Sequence, residues 1–439
     1  MFDCLNQILS LMKSHGANRF YCKKLAPNDN SKNQIYLGGD FSSLNIIPHQ
    51  SIQQDIEACA GSKTERFKAS IKFYWIDADG CHNAPGAQLI MYPTYPEVRM
   101  SGLLKSCTKA PSDVMIVRDE GRILILGITP EGDILGFACT SDNPIAHEIN
   151  SRKLPQFGVF HELTLSPLGL DSRSLLLTKL KEIYQKCWIP SQKIDANGKL
   201  KHYSALNGGG YTLEAELGIS PNGFSEPDYL GWEIKQYGVR DFRSFKPKSA
   251  VTLMTPEPTG GIYHDDGIDV FIRRFGYPDT SGKINRLNFG GVYSCAKEFH
   301  SRTNLKLGLA GYDSAVGKIV DFSGGITLTS RQDDIAAFWG FESILGHWNR
   351  KHAQAAYIPS LFRTPPPEYS YGPQILLCEQ TDFRLFLEAI NSGVVYYDPG
   401  IKMENENAAN PTTKRRSQFR VKHSDLSKLY KKYEYVKFL

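Results

Sequence analysis

The chain has 439 residues, of which 41% are hydrophobic and 22% charged, and its formal net charge is +5. This length exceeds one typical domain and the composition is that of an ordinary folded protein, so we expect two or three domains. No apolar run approaches the roughly 20 residues of a membrane-spanning helix, and we expect no membrane partner. The mild positive charge permits nucleic-acid binding without establishing it.

The N-terminus predicts an amphipathic helix rather than a signal peptide. Leu5, Ile8, Leu9 and Met12 fall at helical spacing after the early acid Asp3. The nine cysteines include no Cys-x-x-Cys pair, which argues against a zinc site and against a disulfide framework. An odd cysteine count without a signal peptide fits a reducing cytoplasm.

Between residues 18 and 150 the pattern predicts mostly short strands separated by turns. Hydrophobic runs of strand length occur at residues 20–22, 69–76, 114–117 and 123–128, and turn-like composition occurs at residues 77–80 and 130–133. Several short strands at this spacing indicate a barrel or a sandwich.

Two polar segments of this region contain side chains of the types that contact DNA. Amide and arginine side chains read adenine and guanine edges, although polar loops are common and the pattern alone is a weak signal. The candidate residues are Lys23, Lys24, Asn28, Asn33, Gln34, Glu97 and Arg99.

A second domain that mixes helices and strands is predicted from about residue 173, after a connector at residues 150–172. A helical stripe ends near Trp188, and a short helix at residues 212–218 ends at a glycine. Another helix is predicted from Asp382 to Asn391, and residues 405–414 are predicted to form a polar loop. The mixture indicates an α/β or α+β domain.

The most informative segment is residues 226–235, Glu-Pro-Asp-Tyr-Leu-Gly-Trp-Glu-Ile-Lys. Glu233 and Lys235 are two residues apart, so on a strand both side chains point to one face. Trp232 and Ile234 then take the opposite face, where they can anchor the strand in a core.

A carboxylate pair is predicted at the start of this strand. Asp228 has the wrong parity for one straight strand, but Gly231 permits a tight turn that brings it to Glu233. Two carboxylates can hold a hard cation such as Mg²⁺, and the ammonium of Lys235 can stabilise charge on an attacked phosphate. An ordinary strand with a surface acid and lysine is the alternative.

Other polar clusters carry weaker signals. Residues 208–212 resemble a phosphate loop, but no lysine precedes the threonine, so a turn into a helix is favoured. Glu214, on that helix, faces either the carboxylates or solvent. Residues 264–266 contain a histidine and two acids that would point apart on a strand, and a solvated loop is favoured there.

Basic residues near the end of the chain are of interest only with a nucleic-acid substrate. The runs at residues 273–274 and 414–416 are of a kind that is usually solvated, although arginine can clamp phosphate or pair with guanine. Gln418 and Arg420 would share a strand face that suits either base reading or a half-exposed strand.

From about residue 173 to residue 439 the chain resembles the MvaI/BcnI-type restriction endonucleases, which belong to the PD-(D/E)XK nucleases and are akin to the MutH mismatch-repair nuclease. The shared features occur in one order. They are the helix ending at Trp188 and the segments 211–214, 227–235, 253–259, 272–276, 389–393 and 418–421.

This resemblance implies roles for individual residues. It assigns metal binding to Asp228 and Glu233, transition-state support to Lys235 and a supporting role to Glu214, and Arg420 matches a base-contacting arginine. Residues 414–417 replace a histidine-rich stretch of the family. The DNA contacts expected in this half are Asp398, Lys402, Arg415, Arg416, Gln418, Arg420 and Arg273.

The first 160 residues are similar to the effector-binding domain of EcoRII-type restriction enzymes, a DNA-binding pseudobarrel also used by plant transcription factors. The matching segments are 23–29, 33–37 and 97–101. They fall on the two arms that grip DNA in that family.

Together the resemblances imply an α+β multidomain protein. Residues 1–160 would form an N-terminal DNA-binding β pseudobarrel, and residues 173–439 an α/β PD-(D/E)XK domain with a central mixed sheet. The expected activity is Mg²⁺-dependent hydrolysis of double-stranded DNA at a CC(A/T)GG-like site, with a second copy of the site bound by the N-terminal module.

The expected setting is a prokaryotic cytoplasm that also contains a DNA methyltransferase of the same specificity. The enzyme would act as a monomer or as a transient dimer on DNA. Three alternatives stay open: a repair or mismatch-nicking endonuclease, a non-catalytic sequence-specific DNA-binding regulator, and a carbohydrate or small-molecule enzyme that uses paired carboxylates.

Overall fold

The structure is a computed structural model that describes residues 2–27, 34–56, 66–92, 97–165, 171–195, 197–219 and 228–438. Two of the predicted DNA contacts, Asn28 and Asn33, lie outside the described residues. By its internal contacts the chain divides into two compact units. The first comprises Met1–Lys246, Asn349–Thr381 and Lys432–Leu439, and the second comprises Pro247–Trp348 and Asp382–Lys431.

The N-terminal part of the first unit is built mainly from two sheets. Numbered along the chain, the helices are α1 (Leu5–Ser14), α2 (Ser112–Met115) and α3 (Pro144–Ser151). The strands are β1 (Arg19–Lys24), β2 (Ile35–Tyr36), β3 (Gln53–Gln54), β4 (Phe67–Ser70), β5 (Lys72–Asp77), β6 (Gly80–Asn83), β7 (Gln88–Tyr92), β8 (Glu97–Ser101), β9 (Ile123–Ile128), β10 (Asp133–Cys139), β11 (Gln156–Phe157) and β12 (Phe160–Leu163). Seven strands follow the order β11-β12-β1-β9-β10-β5-β6, and five follow β2-β8-β7-β4-β3.

The core of this part is formed by α1, α3 and the seven-stranded sheet. Leu5, Ile8, Leu9 and Met12 of α1 are fully buried, which confirms the helical stripe predicted from their spacing. Strand β9 is buried along its whole length, as expected for a central strand. The predicted turns also occur, since β5–β6 and β9–β10 are antiparallel neighbours.

One predicted strand in this region is wrong. Residues 114–117 were expected to be extended, but Ser112–Met115 form a short helix that follows Pro111. The buried guanidinium of Arg122 donates to the carbonyls of Val114 (2.9 Å) and Met115 (3.3 Å). These carbonyl groups are therefore satisfied by a side chain and not by a neighbouring strand.

The rest of the first unit is a mixed sheet flanked by helices. The helices are α4 (Ser172–Gln185) and α5 (Gly209–Leu217), and the strands are β13 (Ile189–Pro190), β14 (Gln192–Ile194), β15 (Leu200–His202), β16 (Glu233–Gly238), β25 (Gln354–Arg363), β26 (Glu368–Tyr371), β27 (Gln374–Glu379) and β32 (Lys432–Lys437). The order is β13-β26-β25-β27-β32, and β16 pairs in parallel with β25 while the other pairs are antiparallel. This mixed sheet agrees with the α/β organisation predicted for the second half.

Two predicted helices of this unit form with small changes at their ends. The carboxylate of Asp171 caps α4 by accepting from the amide of Ser174 at 2.8 Å, and the helix ends at Gln185, before Trp188. Helix α5 ends at Gly218, whose φ of +74° forms the left-handed cap that the sequence predicted.

The second unit contains smaller sheets. Its helices are α6 (Ile262–Asp265), α7 (Ile268–Phe275), α9 (Phe383–Asn391) and most of α8 (Phe341–His352), which enters the first unit at Asn349. Its strands are β17 (Val251–Met254), β18 (Tyr277–Pro278), β19 (Arg286–Gly290), β20 (Leu305–Ala310), β21 (Tyr312–Asp313), β22 (Lys318–Ile319), β23 (Gly325–Ser330), β24 (Ile335–Gly340), β28 (Val395–Tyr397), β29 (Gly400–Glu404), β30 (Thr412–Lys414) and β31 (Phe419–Val421). They pair in the orders β17-β31-β28, β18-β19-β29-β30 and β20-β23-β24, with β21-β22 as a hairpin.

The sequence predictions for this unit hold in part. Helix α9 begins after its predicted cap Asp382, whose side chain accepts from the amide of Arg384 at 2.9 Å. The polar segment predicted as a loop at residues 405–414 ends in β30, because residues 412–414 pair with β29. The histidine and two acids at residues 264–266 lie on and just after the short helix α6. None of the helices in the described ranges has the length and apolar character needed to cross a membrane.

Candidate active site

A tight turn brings Asp228 back to the start of β16. Leu230 and Gly231 have positive φ values of +48° and +88°, and Tyr229 and Trp232 exchange backbone hydrogen bonds of 3.0 and 2.8 Å across them. Two consecutive residues with positive φ are typical of the tightest hairpin turns. The turn predicted from Gly231 is confirmed.

Strand β16 then divides its side chains between the core and the site. Trp232 and Ile234 are buried with the helices of this unit, as the alternation predicted. Glu233 and Lys235 lie together on the other face, where the ammonium Nζ is 2.5 Å from the carboxylate Oε1. Strand β16 runs parallel to β25, and most residues of β25 are buried, so β16 is anchored beside a buried strand.

The two carboxylates are held in different ways. Asp228 Oδ2 accepts from the amide of Ile234 at 2.8 Å, which ties the turn to the strand. Glu233 is 1% exposed, and its second oxygen Oε2 is buried with no hydrogen-bond donor. A buried carboxylate oxygen without a partner is rare and calls for a further cation or water.

The charged groups of this site shift one another's pKa values. Burial, and then the neighbouring Glu233, raise the pKa of Asp228 to about 7. Burial alone would lower the pKa of Lys235, but the carboxylates of Glu233, Asp228 and Glu214 outweigh it and raise that pKa. The lysine is therefore a firmly charged ammonium beside acids.

Glu214 belongs to the same electrostatic cluster. It lies on α5, which packs against β16, and burial raises its pKa against the opposing effect of Lys235. Lys351 also lowers the pKa of Glu214, which places a second ammonium within electrostatic range. The sequence offered no signal for Lys351, because only the parallel pairing of β25 with β16 brings residues so distant in sequence to the site.

The donor set fits a hard divalent cation in part. Asp228 and Glu233 supply carboxylate oxygens, and the unpartnered Glu233 Oε2 is an oxygen that a cation would satisfy. Within the described ranges, no three His, Cys, Asp or Glu residues are grouped closely enough to form a metal site by themselves. Two protein carboxylates with waters completing the shell are nevertheless a usual arrangement for Mg²⁺.

Within the second unit the structure joins several predicted DNA contacts on the β28–β31 pair. Arg420 donates from Nη1 to Asp398 Oδ2 at 2.7 Å and from Nη2 to the carbonyl of Ala250 at 2.6 Å. Arg416 donates to the side-chain oxygen of Gln418 at 3.2 Å, and Gln418 is buried. The arginine that the resemblance associates with base contact is thus already oriented by the protein.

Three other candidates of this unit are engaged differently. Arg273 donates to the carbonyl of Glu406 at 2.6 Å, so its guanidinium holds the loop before β30. Lys402 Nζ lies 3.9 Å from Glu404 Oε1, which is a loose ion pair. Lys402 also faces Lys414 on the neighbouring strand β30. Arg415 is exposed on the segment between β30 and β31.

In the N-terminal part, the sheet β2-β8 joins three of the predicted DNA contacts. Arg99 forms an ion pair with Glu97 and donates to Gln34 Oε1 at 3.0 Å, and its guanidinium lies 5.6 Å from the centre of the Tyr92 ring. These contacts fix one arginine orientation on the sheet surface. Two of the three matching segments, 33–37 and 97–101, therefore meet at Arg99.

The two lysines at the end of β1 differ in exposure. Lys23 is buried, donates to the carbonyl of Lys24 at 3.3 Å, and has a pKa lowered by burial. Lys24 is exposed, so it is the lysine of this pair that presents its amine to solvent.

None of the cysteines that the structure describes belongs to the residues of these sites. The eight cysteines within the described ranges are free thiols, and none pairs in a disulfide there. Burial raises the pKa of Cys139 to about 11, which leaves it an inert apolar group.

Comparison with known proteins identifies the family. The profile of the MvaI/BcnI restriction endonuclease family matches residues 177–430, more than half of the chain. Two solved structures of MvaI are similar, one in complex with cognate DNA substrate (18% identity, TM-score 0.45, 61% of this chain and 98% of that chain) and one without DNA (16% identity, TM-score 0.35, 62% and 99%). Among curated proteins none matches significantly. The chain belongs to the MvaI/BcnI restriction endonuclease family.

Proposed function

We propose that the chain is a Mg²⁺-dependent type II endonuclease of the PD-(D/E)XK kind that cleaves double-stranded DNA at a CC(A/T)GG-like site. The observation that carries the proposal is the joined set of Asp228, Glu233 and Lys235, with Glu233 Oε2 buried and without a donor. Glycoside hydrolysis is carried by the two carboxylates, whereas an ammonium 2.5 Å from one of them suits stabilisation of negative charge on a phosphate.

Asp228 and Glu233 are the residues that would hold the cation. A bound Mg²⁺ would act as a Lewis acid that polarises the phosphodiester. Asp228 has a pKa of about 7, so its carboxyl is only partly ionised near neutral pH, and a cation there would favour the ionised form. The amide of Ile234 keeps that carboxylate in place.

Lys235 supplies a positive charge for the transition state. Its ammonium is positioned by Glu233 and stays protonated, because the surrounding acids raise its pKa. A fixed charge in a site largely shielded from water needs little reorganisation during reaction and stabilises the developing charge on phosphate oxygens. Glu214 would hold Lys235 and a nearby water in position.

Recognition in the catalytic half would rest on the Arg420 network. Arginine pairs bidentately with guanine, and Arg420 is held by Asp398 and the carbonyl of Ala250. On DNA, Asp398 could keep one edge of the guanidinium while the other reads a base. The CC(A/T)GG-like class follows the resemblance of both halves to enzymes with such sites.

The N-terminal residues 1–160 would form the EcoRII-type pseudobarrel and bind a second copy of the site. Arg99, held by Glu97 and Gln34, is the proposed base-reading residue of this module. The catalytic module would comprise residues 173–439. The two modules would let one chain engage two copies of the site.

A single set of Asp228, Glu233 and Lys235 supports action as a monomer that cuts the two strands in turn, or as a transient dimer on DNA. We further propose a prokaryotic cytoplasm as the setting and a DNA methyltransferase of the same specificity as its companion. The methyltransferase follows from the need to protect the cell's own sites.

Mapping of cleavage ends tests the proposal. Purified full-length protein would be incubated with Mg²⁺ and a plasmid of known sequence, beside a Lys235→Ala variant. Discrete ends at CC(A/T)GG-like sequences, absent with the variant, are expected. Random degradation, or nicks confined to mismatches, would replace the site-specific assignment with a repair function, and binding without cleavage would indicate a regulator.

Binding of the metal gives a second readout that does not depend on turnover. Titration calorimetry with Mg²⁺ should show a site in the wild-type protein that weakens in Asp228→Asn. Equal heats for the two proteins would remove Asp228 from the metal site even if cleavage is confirmed.

A further inference from the structure

A polar groove lies on the outer face of the five-stranded sheet in the N-terminal part. The cavity has a volume of about 650 Å³ and is open to solvent. Its floor is formed by Lys68, Ser70, Gln88 and Ser101, and its rim by residues 85–87 and 102–105. None of the DNA contacts predicted from the sequence lines this groove.

Strand register places the groove beside Arg99. Arg99 pairs with Ile90 of β7, and Ile90 pairs with Lys68 of β4, so these three residues form one cross-strand row on the same face. The next row contains Ser101, Gln88 and Ser70. With strands about 4.8 Å apart, Lys68 lies roughly 10 Å from Arg99 along the row.

The groove has a net positive charge. Lys68 pairs with Asp55 at 2.7 Å, but Arg66 also binds that carboxylate, so one acid faces two cations. Lys105 on the rim is exposed and forms no ion pair with any described residue. No carboxylate is among the described residues that line the cavity.

Two glycines build the rim on which Lys105 sits. Gly102 has a φ of +75°, and a Cβ there would come within 1.8 Å of the carbonyl oxygen of Gly86. The side chain of Lys105 in turn packs on Gly86, because a Cβ built on Gly86 would lie 3.0 Å from the Cβ of Lys105. The two loops therefore touch directly and hold the lysine at the mouth of the groove.

We propose that this groove binds the sugar–phosphate backbone of the DNA that the Arg99 side of the sheet engages, with Lys105 and Lys68 contacting phosphates and Gln88 and the serines donating hydrogen bonds. The inference rests on the DNA-binding role proposed above for the N-terminal module. The DNA major groove is about 12 Å wide, so a base-reading arginine and a lysine roughly 10 Å away, as Lys68 is, can contact one duplex. Phosphate contacts of this kind fix register and orientation and carry no sequence information.

Salt dependence of binding is the first test. A duplex carrying the site would be bound without metal by full-length wild type, Lys105→Gln and Lys109→Gln. Loss of one phosphate contact should make the negative slope of log K against log salt shallower by about 0.9. We expect that change for Lys105→Gln only, because Lys109 pairs with Asp79 at 3.0 Å and lies outside the groove lining.

Acetylation of lysine amines, read by mass spectrometry, gives site-resolved evidence on the unmutated chain. Saturating duplex should slow acetylation of Lys105 severalfold and leave Lys109 unchanged. If the duplex protects the exposed Lys24 but not Lys105, the proposal that the groove binds DNA is wrong, whereas DNA binding by the N-terminal part still holds. If the duplex protects Lys402 alone, the groove proposal and the proposed DNA binding by the N-terminal part are both wrong, because DNA would then occupy only the catalytic half.

Discussion

The active-site face of β16 and the outer face of the N-terminal sheet hold their charges in opposite ways. At β16, Glu233 is buried and carries an unpartnered oxygen beside a charged lysine. On the N-terminal sheet, Arg99 and Lys68 are partly exposed and each pairs with a carboxylate. In the first arrangement a buried carboxylate oxygen of Glu233 has no hydrogen-bond donor, whereas on the sheet each of the two cations already contacts a carboxylate.

This difference has a consequence for function. Buried, mutually perturbed charges are found where chemistry is performed, because fixed charges in a low-dielectric site act strongly on a transition state. Exposed charges held by ion pairs contribute little to stability but are available to exchange a carboxylate for a phosphate. Substitutions at β16 should therefore affect rate, and substitutions on the sheet should affect binding.

The largest effect is expected at Glu233. Glu233→Gln removes the charge that positions Lys235 and the proposed metal, and cleavage should slow by at least ~10²–10³-fold. Glu216→Gln is the matched control, because Glu216 lies on α5 but pairs with Lys186 away from β16. Initial cleavage rates with Mg²⁺ would be compared, with metal-free DNA binding as the check on folding. A Glu233→Gln protein as fast as wild type would remove β16 from the chemistry.

A binding effect is expected at Arg99. Arg99→Ala should weaken N-terminal binding of the site by ~1–3 kcal/mol if the guanidinium reads a base, and should reduce discrimination against altered sites. Fluorescence anisotropy would be measured on full-length protein carrying Arg420→Ala, so that the other proposed base contact is absent. Arg118→Ala, at an exposed arginine of the same part, should bind as the parent does. Equal affinities for all three would exclude Arg99 from the interface.

The local part of both faces could be predicted from the sequence. The alternation of Trp232 to Lys235 placed two side chains in the core and two in the site, because strand period is set by the backbone alone. The turn at Gly231 and the cap at Gly218 followed from the same local rule, that glycine readily adopts positive φ. The MvaI/BcnI assignment, made on ordered motifs, is also confirmed.

What depended on distant contacts could not be predicted. The expected strand at residues 114–117 is a helix because Arg122 takes the carbonyls of Val114 and Met115. Lys351 reaches the Glu214 cluster only through the pairing of β25 with β16. The first contact depends on the path of a single side chain and the second on the register of the sheet, and a single sequence specifies neither.

A smaller effect is expected at the turn itself. Gly231→Ala places a side chain at a φ of +88°, which costs about 1–2 kcal/mol of stability. Gly198→Ala is the matched control, since its φ is +73° and a Cβ there meets nothing within 4 Å. Both variants should lower the free energy of unfolding in urea, but only Gly231→Ala should also slow cleavage, because its turn carries Asp228. Equal cleavage by the two variants would show that the turn does not set the position of that carboxylate.

The smallest effect tests what a half-buried acid does without a paired lysine. Burial raises the pKa of Glu162 to about 7, and the hydroxyl of Ser172 offsets this only in part. The folded state therefore holds a proton that the unfolded state releases above pH ~4.3, so Glu162 makes the free energy of unfolding fall as pH rises from about 4.3 to about 7. Glu162→Gln removes this contribution, and its stability relative to wild type should rise across that window by on the order of 1 kcal/mol and then stay constant. The free energy of unfolding in urea would be measured at a series of pH values for the variant and the wild type. Asp228, whose pKa is also about 7, contributes equally to both proteins and cancels in their difference. A difference independent of pH would mean that Glu162 is ionised in the folded protein at neutral pH.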